Sequence, residues 1–385
     1  MQKEASNPKV LFVASNIPTP KRQSNKVVMT IAHKLSNQFD ISVLHPAEFA
    51  PFPINLMKKY KNIANGQSWE DDGIIVRPFK YIRLFGKKDA FRFLPYWQKR
   101  IEAYCKQFGI PQLVHAHYAL PDGYFAYQIH KAFHVPYIIS FRDADIKLLK
   151  QPDNCDTLTR MKLALSNAKQ IIVHNTAHKE ILSKIGIDSI VMPHGVERTF
   201  FQQKQSINSS VSVSITTISE LIPRKHVDWV IEAVKNYIGN KNVTLTIAGD
   251  GAMRNELETC AKGFDNIIFL GKIEHNRIGD LLSQSDVFAL PSVNETFGLV
   301  YLEAAAHQNA VVATKDTGIW GVFEDKEEML FCDSQESFNK LLYRLIEDDD
   351  YRNSLAEKAY HKAKENYTWD MVINRYSEIY KNCME

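Results

Sequence analysis

Short apolar runs alternate with helix-length amphipathic stretches along this chain, and the scheme occurs twice. In the first half the runs are residues 10–14, 41–44, 113–116, 137–140 and 170–173, with helical patterns such as 27–35 and 123–132 between them. In the second half they are 212–217, 244–248, 267–269, 287–290 and 310–313. Strands of this kind read as continuous apolar segments because both faces of a parallel sheet are covered by helices. The pattern therefore predicts an α/β architecture of two Rossmann-like domains. The polar stretch Gln202-Gln-Lys-Gln-Ser-Ile-Asn-Ser-Ser210 has linker composition. It places an N-terminal domain at 1–200 and a C-terminal domain at 201–368, followed by a closing segment at 369–385 that carries a helix over 369–380.

A chain of 385 residues is too long for one hydrophobic core and suits two domains. The cysteines Cys105, Cys155, Cys260, Cys332 and Cys383 are odd in number and lie far apart, so neither a disulfide framework nor a metal knuckle is indicated. A reducing, cytoplasmic setting fits best. Residues 10–14 form only a strand-length run before Asn16, Pro18 and Pro20, which is not a leader pattern. No segment reaches the roughly 18 apolar residues of a membrane span. The expectation is a protein that is soluble or rests on a membrane surface.

The segment Asn294-Glu-Thr-Phe-Gly-Leu-Val-Tyr-Leu-Glu303 followed by three alanines carries the most chemistry. It follows the apolar run 287–290, so Glu295 falls in a loop at a strand end. From about Gly298 onward the composition favours helix, and Gly298 lets the backbone approach a ligand where unpaired N–H groups face outward. A phosphate suits such a point. Helical side chains tilt toward the N-terminus, so Glu303 should lean toward the mouth that Glu295 faces. One carboxylate could accept from sugar hydroxyls and the other from ribose, with the amides near Phe297, Gly298 and Leu299 on a diphosphate. Taken alone, the same pair also suits a helix start with acids placed for the dipole.

Glu295-Thr-Phe-Gly298, with Glu303 eight positions after Glu295, resembles the E-x7-E signature of retaining glycosyltransferases of family four, the glycosyl transferases group 1 of bacterial polysaccharide biosynthesis. Further strings follow in the family's order. Val114-His-Ala-His117-Tyr resembles the acceptor-side strand end that carries a histidine near the reacting carbon. Pro193-His-Gly195-Val196 resembles the turn closing the N-terminal domain. Ile222-Pro-Arg-Lys225 resembles the segment whose lysine holds the donor diphosphate. Leu245-Thr-Ile-Ala-Gly249-Asp-Gly251 and Phe269-Leu-Gly271 resemble the following strand ends.

The resemblance implies the GT-B fold, with two Rossmann-like domains facing across a cleft and a last helix crossing back to the first. It implies transfer of a hexose from a UDP-sugar or GDP-sugar to a saccharide or lipid-linked acceptor, with no metal. His117, Lys225 and Glu295 are its candidate catalytic residues. Lys225, Gly249, Gly251, Glu295, Phe297, Gly298, Leu299 and Glu303 are its candidate donor contacts. His115 competes with His117 on sequence alone, and the resemblance favours His117.

Several positions depart from the family pattern. Glu220 stands where many members have an arginine, Ser24-Asn25 replaces a glycine pair, and Thr317-Gly318 and Gly321 replace a double glycine and a glutamate. Lys21, Arg22 and Lys26 could supply charge near the first loop, and Arg224 could join Lys225. On the acceptor side Pro121-Asp122-Gly123 opens a helix. There, Arg142 and Asp145 are either ligand contacts or a salt bridge bracing their loop.

The formal charge is only +3, but residues 77–100 hold eight cations against the single acid Asp89, interleaved with aromatics. That composition suits an anionic membrane surface, and it equally suits a solvated basic face. Nucleic-acid binding lacks an accompanying module. Two other functions fit the same architecture, a UDP-N-acetylhexosamine epimerase and a non-catalytic partner of an active transferase.

Overall fold

Strands covered on both faces dominate the computed structural model, which describes residues 7–20, 26–49, 67–82, 94–150, 155–201 and 211–385. The chain divides into two compact units. One comprises residues 1–173, 178–191 and 373–385, and the other comprises 174–177 and 192–372.

The first unit contains β1 (Lys9–Val13), α1 (Val27–Leu35), β2 (Asp40–Phe49), β3 (Trp69–Asp71), β4 (Ile74–Ile82), α2 (Gln98–Phe108), β5 (Leu113–Ala116), α3 (Tyr124–Phe133), β6 (Tyr137–Ser140), α4 (Asp143–Leu149), α5 (Cys155–Ser166), β7 (Gln170–Val173), α6 (Thr176–Ser183) and β8 (Ile190–Val191). Its eight-stranded sheet has the order β3-β4-β2-β1-β5-β6-β7-β8. All pairs are parallel except β3 with β4, which closes a hairpin through Asp72 and Gly73 at φ 44° and 84°. Such an Asp-Gly pair supplies the positive φ values that a tight hairpin needs. Every residue of β5 and β6 is buried, which explains their unbroken apolar sequences.

The second unit contains β9 (Ser212–Ile218), α7 (Val227–Lys235), β10 (Asn242–Ala248), α8 (Arg254–Cys260), β11 (Ile267–Gly271), α9 (Ile278–Ser283), β12 (Val287–Ala289), α10 (Leu299–Ala306), β13 (Ala310–Thr314), β14 (Leu330–Cys332), α11 (Gln335–Glu347) and α12 (Asp349–Asn366). Its six strands are all parallel in the order β11-β10-β9-β12-β13-β14. Apolar side chains from α7, α11 and the sheet fill one core, and those from α10 and α12 fill another on the opposite face. The boundary between α11 and α12 is set by Asp348, whose carboxylate accepts from the Tyr351 amide at 2.9 Å and caps the second helix.

The last helix, α13 (Trp369–Met384), starts in the second unit and belongs to the first from Ile373 onward. There Tyr376 and Tyr380 are fully buried, and the Ser377 hydroxyl donates to Gln38 at 2.6 Å. Among the described residues no helix is long and apolar enough to cross a membrane.

The order in which strands are added changes side once in each sheet, between β1 and β5 in the first and between β9 and β12 in the second. Ligands of open parallel sheets bind beyond the carboxyl ends of the strands at such a switch point. The β3–β4 hairpin, β8 and β14 are additions to the strands read from sequence. The 202–210 linker and the Lys21, Arg22, Ser24 and Asn25 positions lie outside the described residues.

Candidate active site

Glu295 sits on the loop that leaves β12, and its main chain is clamped from the β13 side. The Glu295 amide donates to Thr317 Oγ1 at 2.7 Å, and the Thr317 hydroxyl and the Gly318 amide donate to the Glu295 carbonyl at 3.2 and 3.0 Å. Asn294 takes the left-handed conformation just before it, at φ 57°, which asparagine tolerates better than most residues. The replacement of a double glycine by Thr317-Gly318 thus gives the loop a hydroxyl that fixes Glu295.

The side chain of Glu295 is 12% exposed, and one oxygen, Oε1, accepts from three donors. These are the Lys225 ammonium, Arg224 Nη1 at 3.1 Å and the Ser292 hydroxyl at 2.7 Å. Burial opposes ionisation here, but the Lys225 charge, the hydrogen bonds from Lys225 and Ser292, and the Arg224 charge outweigh it. The carboxyl is held below its ordinary range.

Lys225 ends a short 3-10 turn, Pro223–Lys225, beyond β9, and the Arg224 carbonyl is tied to the Glu295 loop by the Val293 amide at 2.9 Å. That turn is positioned by the two glycines after β10. A Cβ on Gly249, at φ 146°, would lie 1.7 Å from the Ser219 carbonyl oxygen, and one on Gly251 would lie 2.4 Å from that of Leu221. Both glycines therefore permit close packing against the 219–221 backbone. Glu220 is exposed.

Helix α10 opens at Gly298, at φ 80°. The first amides of a helix have no partner within it, which leaves those of Leu299 and Val300 for groups outside the helix. Phe297 contributes only its main chain to that mouth, because its ring is buried 5.2 Å from the His194 ring. Glu303 is nearly buried but does not join the Lys225 cluster. Its Oε1 lies 3.2 Å from His275 Nε2 on the turn after β11. Sequence reasoning missed Ser292 and His275, and named Thr317 only as a departure from the family pattern, since single polar residues in loops carry no periodic signal.

In the first unit, His115 and His117 separate clearly. His115 Nδ1 meets the Tyr380 hydroxyl at 2.6 Å and Nε2 meets the Ser140 hydroxyl at 2.9 Å, so this ring anchors the last helix. His117 follows β5 at the switch point, with its ring 4.0 Å from that of His115 and 4.8 Å from that of Phe12. Its carbonyl accepts from Arg142 Nε at 3.0 Å. Arg142 and Asp145 form no side-chain ion pair. Asp145 instead accepts the amides of Ala119 and Arg142, each at 3.0 Å, and braces the loop through the main chain.

Much of the basic stretch that suggested a membrane surface lies outside the described residues, at 83–93. In the described part Phe79 and Tyr81 are buried, and Arg100 lies over the rings of Phe79 and Trp97 at 5.0 and 4.6 Å. These groups serve packing inside the unit, while Tyr96 remains 79% exposed. One group of side chains among the described residues could hold a metal, namely His33, Asp71 and Asp72, at the β3–β4 hairpin and distinct from the residues above.

Comparison with known proteins gives the family and the fold. The family described as Glycosyl transferases group 1 matches residues 198–362, and Glycosyltransferase Family 4 matches residues 24–200. The chain is 23% identical over 376 residues to TuaC of Bacillus subtilis (strain 168), a glycosyltransferase provisionally assigned to teichuronic acid biosynthesis, covering 93% of this chain and 94% of that protein. It is 25% identical over 284 residues to the N-acetyl-alpha-D-glucosaminyl L-malate synthase of Bacillus anthracis, covering 70% and 74%. Among solved structures, the sucrose-phosphate synthase of Thermosynechococcus elongatus superposes with a TM-score of 0.73 at 16% identity, covering 97% of this chain and 98% of that one. Anabaena HepE in complex with UDP superposes with a TM-score of 0.70 at 17% identity, covering 97% and 100%. With its two parallel-sheet Rossmann-like units and both family halves in order, the chain belongs to the family four glycosyltransferases of GT-B fold and is a glycosyltransferase.

Proposed function

We propose that this glycosyltransferase moves a hexose from a nucleoside-diphosphate sugar to a hydroxyl of a cell-surface polysaccharide or glycolipid precursor, with retention at the anomeric carbon. The observation that carries the reading is the convergence of Lys225 and Arg224 on Glu295 beside the first turn of α10, at the switch point of the second sheet. HepE was solved with UDP-glucose as well as with UDP, which supports a donor of that class.

Breaking the bond from the anomeric carbon to the diphosphate builds positive character on the sugar and negative charge on the leaving group. Lys225, Arg224 and the α10 amides would oppose that charge without a metal. A diphosphate oxygen would take over the lysine donor that Glu295 holds, which frees the carboxylate to accept from sugar hydroxyls. The acceptor oxygen would bond to the anomeric carbon on the face the diphosphate leaves, and its proton would pass to the departing diphosphate oxygen. His117 would bind near the sugar, and Glu303 would accept from the ribose.

Thermal-shift screening with UDP, GDP and their sugars, followed by donor-consumption assays, tests this reading. Stabilisation by one nucleotide and its sugar is expected. Failure of every nucleotide to stabilise the protein would favour a non-catalytic partner. Docking on an acidic membrane surface through exposed parts of 77–100 would place the enzyme beside a lipid-linked acceptor on the inner face, and salt-sensitive flotation with acidic liposomes checks it.

A further inference from the structure

The first unit buries a guanidinium whose hydrogen bonds are not all made. Arg142, 5% exposed, follows β6, donates through Nε to the His117 carbonyl at 3.0 Å and lies 5.6 Å from the centre of the Tyr118 ring. Its Nη2 is buried and has no hydrogen-bond partner among the described residues. A buried cation with an unmade donor is costly, and it calls for an oxyanion.

The nearby carboxyls do not supply one. Both Asp145 oxygens are occupied by main-chain amides, and burial, against the amides of Arg142, Ala119 and Leu120, pushes this carboxyl up to about 7. Asp122, fully buried, accepts from the Ser15 amide at 3.1 Å through Oδ2, and its Oδ1 also lacks a partner among the described residues. Burial holds Asp122 well above the usual range. Burial thus favours the neutral form of both acids, which leaves them poor partners for the guanidinium. The rim beside it is open, since Tyr118 and Asp143 are half-buried and Ala144 is exposed.

We propose that Arg142 is the anchor of a binding subsite for an acidic saccharide, whose carboxylate or phosphate completes the hydrogen bonds of the buried guanidinium beside His117. The inference deepens the proposed transfer reaction and rests on it, because it makes the first unit select an anionic acceptor. An arginine suits this task better than a lysine, since its planar fork meets an oxyanion with two parallel bonds.

The test uses the full chain, with saturating UDP to keep acidic probes off Lys225, and saturation-transfer NMR with three probes: glucuronate, glucose 6-phosphate and glucose. At least one acidic probe should bind tenfold or more tightly than glucose, and whichever does so identifies the carboxylate or the phosphate. Arg142→Met should abolish that preference while UDP affinity stays within twofold, and Arg142→Lys should retain only part of it. The proposal is overturned if the unaltered protein binds both acids no better than glucose, or if Arg142→Met keeps the preference. The comparison on the unaltered protein decides even where the methionine variant does not fold. Absence of UDP binding would instead sink the donor reading, because the same titrations without UDP still report on Arg142.

Discussion

Lys225 and Glu295 stand on loops that leave adjacent strands of the second sheet, β9 and β12, and the ammonium of one donates to the carboxylate of the other. Both side chains are 12% exposed. The pair spans the point where the strand order changes side, so a ligand entering there meets a cation that is already positioned and already neutralised. Holding the two charges together keeps the empty site free of an uncompensated buried charge.

Lys225→Ala should therefore act on turnover more than on folding. Glu295 keeps Arg224 and Ser292 as partners in this variant, whereas a diphosphate bound as proposed would lose its most buried donor. Removal of one preorganised donor lowers kcat on the order of 100-fold or more. Donor-consumption rates at saturating nucleotide sugar check this, and a change below threefold would show that Lys225 does not stabilise the leaving group.

Glu295→Gln makes a second prediction through pH. Burial raises the carboxyl and the Lys225 charge and its companions lower it further, leaving it below the ordinary glutamate value of about 4.3. A depressed folded value contributes stability above the unfolded value, and that contribution disappears as pH falls through the folded value. The unaltered protein should exceed Glu295→Gln in urea midpoint at pH 7 by a margin that shrinks below about pH 4. A margin independent of pH between 7 and 3.5 would contradict the ion pair.

The two sheets were legible in the sequence because parallel strands buried on both faces must be apolar throughout, as in Leu113–Ala116 and Tyr137–Ser140. Edge elements were less so. β4 alternates buried with less buried residues along much of its length and contains Pro78, and the sequence reading passed over the Asp72-Gly73 turn beside it. At the site, Lys225 and Glu295 could be named from the family resemblance, but their mutual pairing could not, because 69 residues separate them and only the order of β9 and β12 brings them together. The same holds for His115, whose partner Tyr380 arrives from the other end of the chain.

Gly249→Ala should damage the site from behind. Its φ of 146° disfavours any side chain, and the new methyl would overlap the Ser219 carbonyl that leads into the lysine turn. Overpacking of this kind costs typically 1–3 kcal/mol. The expected result is a lower unfolding midpoint together with weakened nucleotide binding. Normal binding with normal stability would mean that the 219–225 backbone shifts freely, contrary to its hydrogen bonds to Ala248 and Asp250.

The attachment of the last helix should respond to acid through His115. Burial first, and the Arg142 charge second, push this imidazole down to about 3 from an ordinary value near 6.5. The folded state thus binds the proton less readily than the unfolded chain, so stability is fully present above about pH 6.5 and declines as pH falls toward 3. The His115 ring should show no titration in NMR between pH 8 and 5. Tyr380→Phe removes the hydroxyl bonded to Nδ1 and leaves a buried ring nitrogen without its partner, at a cost of about 1–3 kcal/mol. Protease sensitivity and amide exchange within Ile373–Glu385 should rise in that variant, while the nucleotide binding proposed for the second unit should be retained. Unchanged exchange in that segment would show that the Tyr380 hydroxyl does not hold the helix in place.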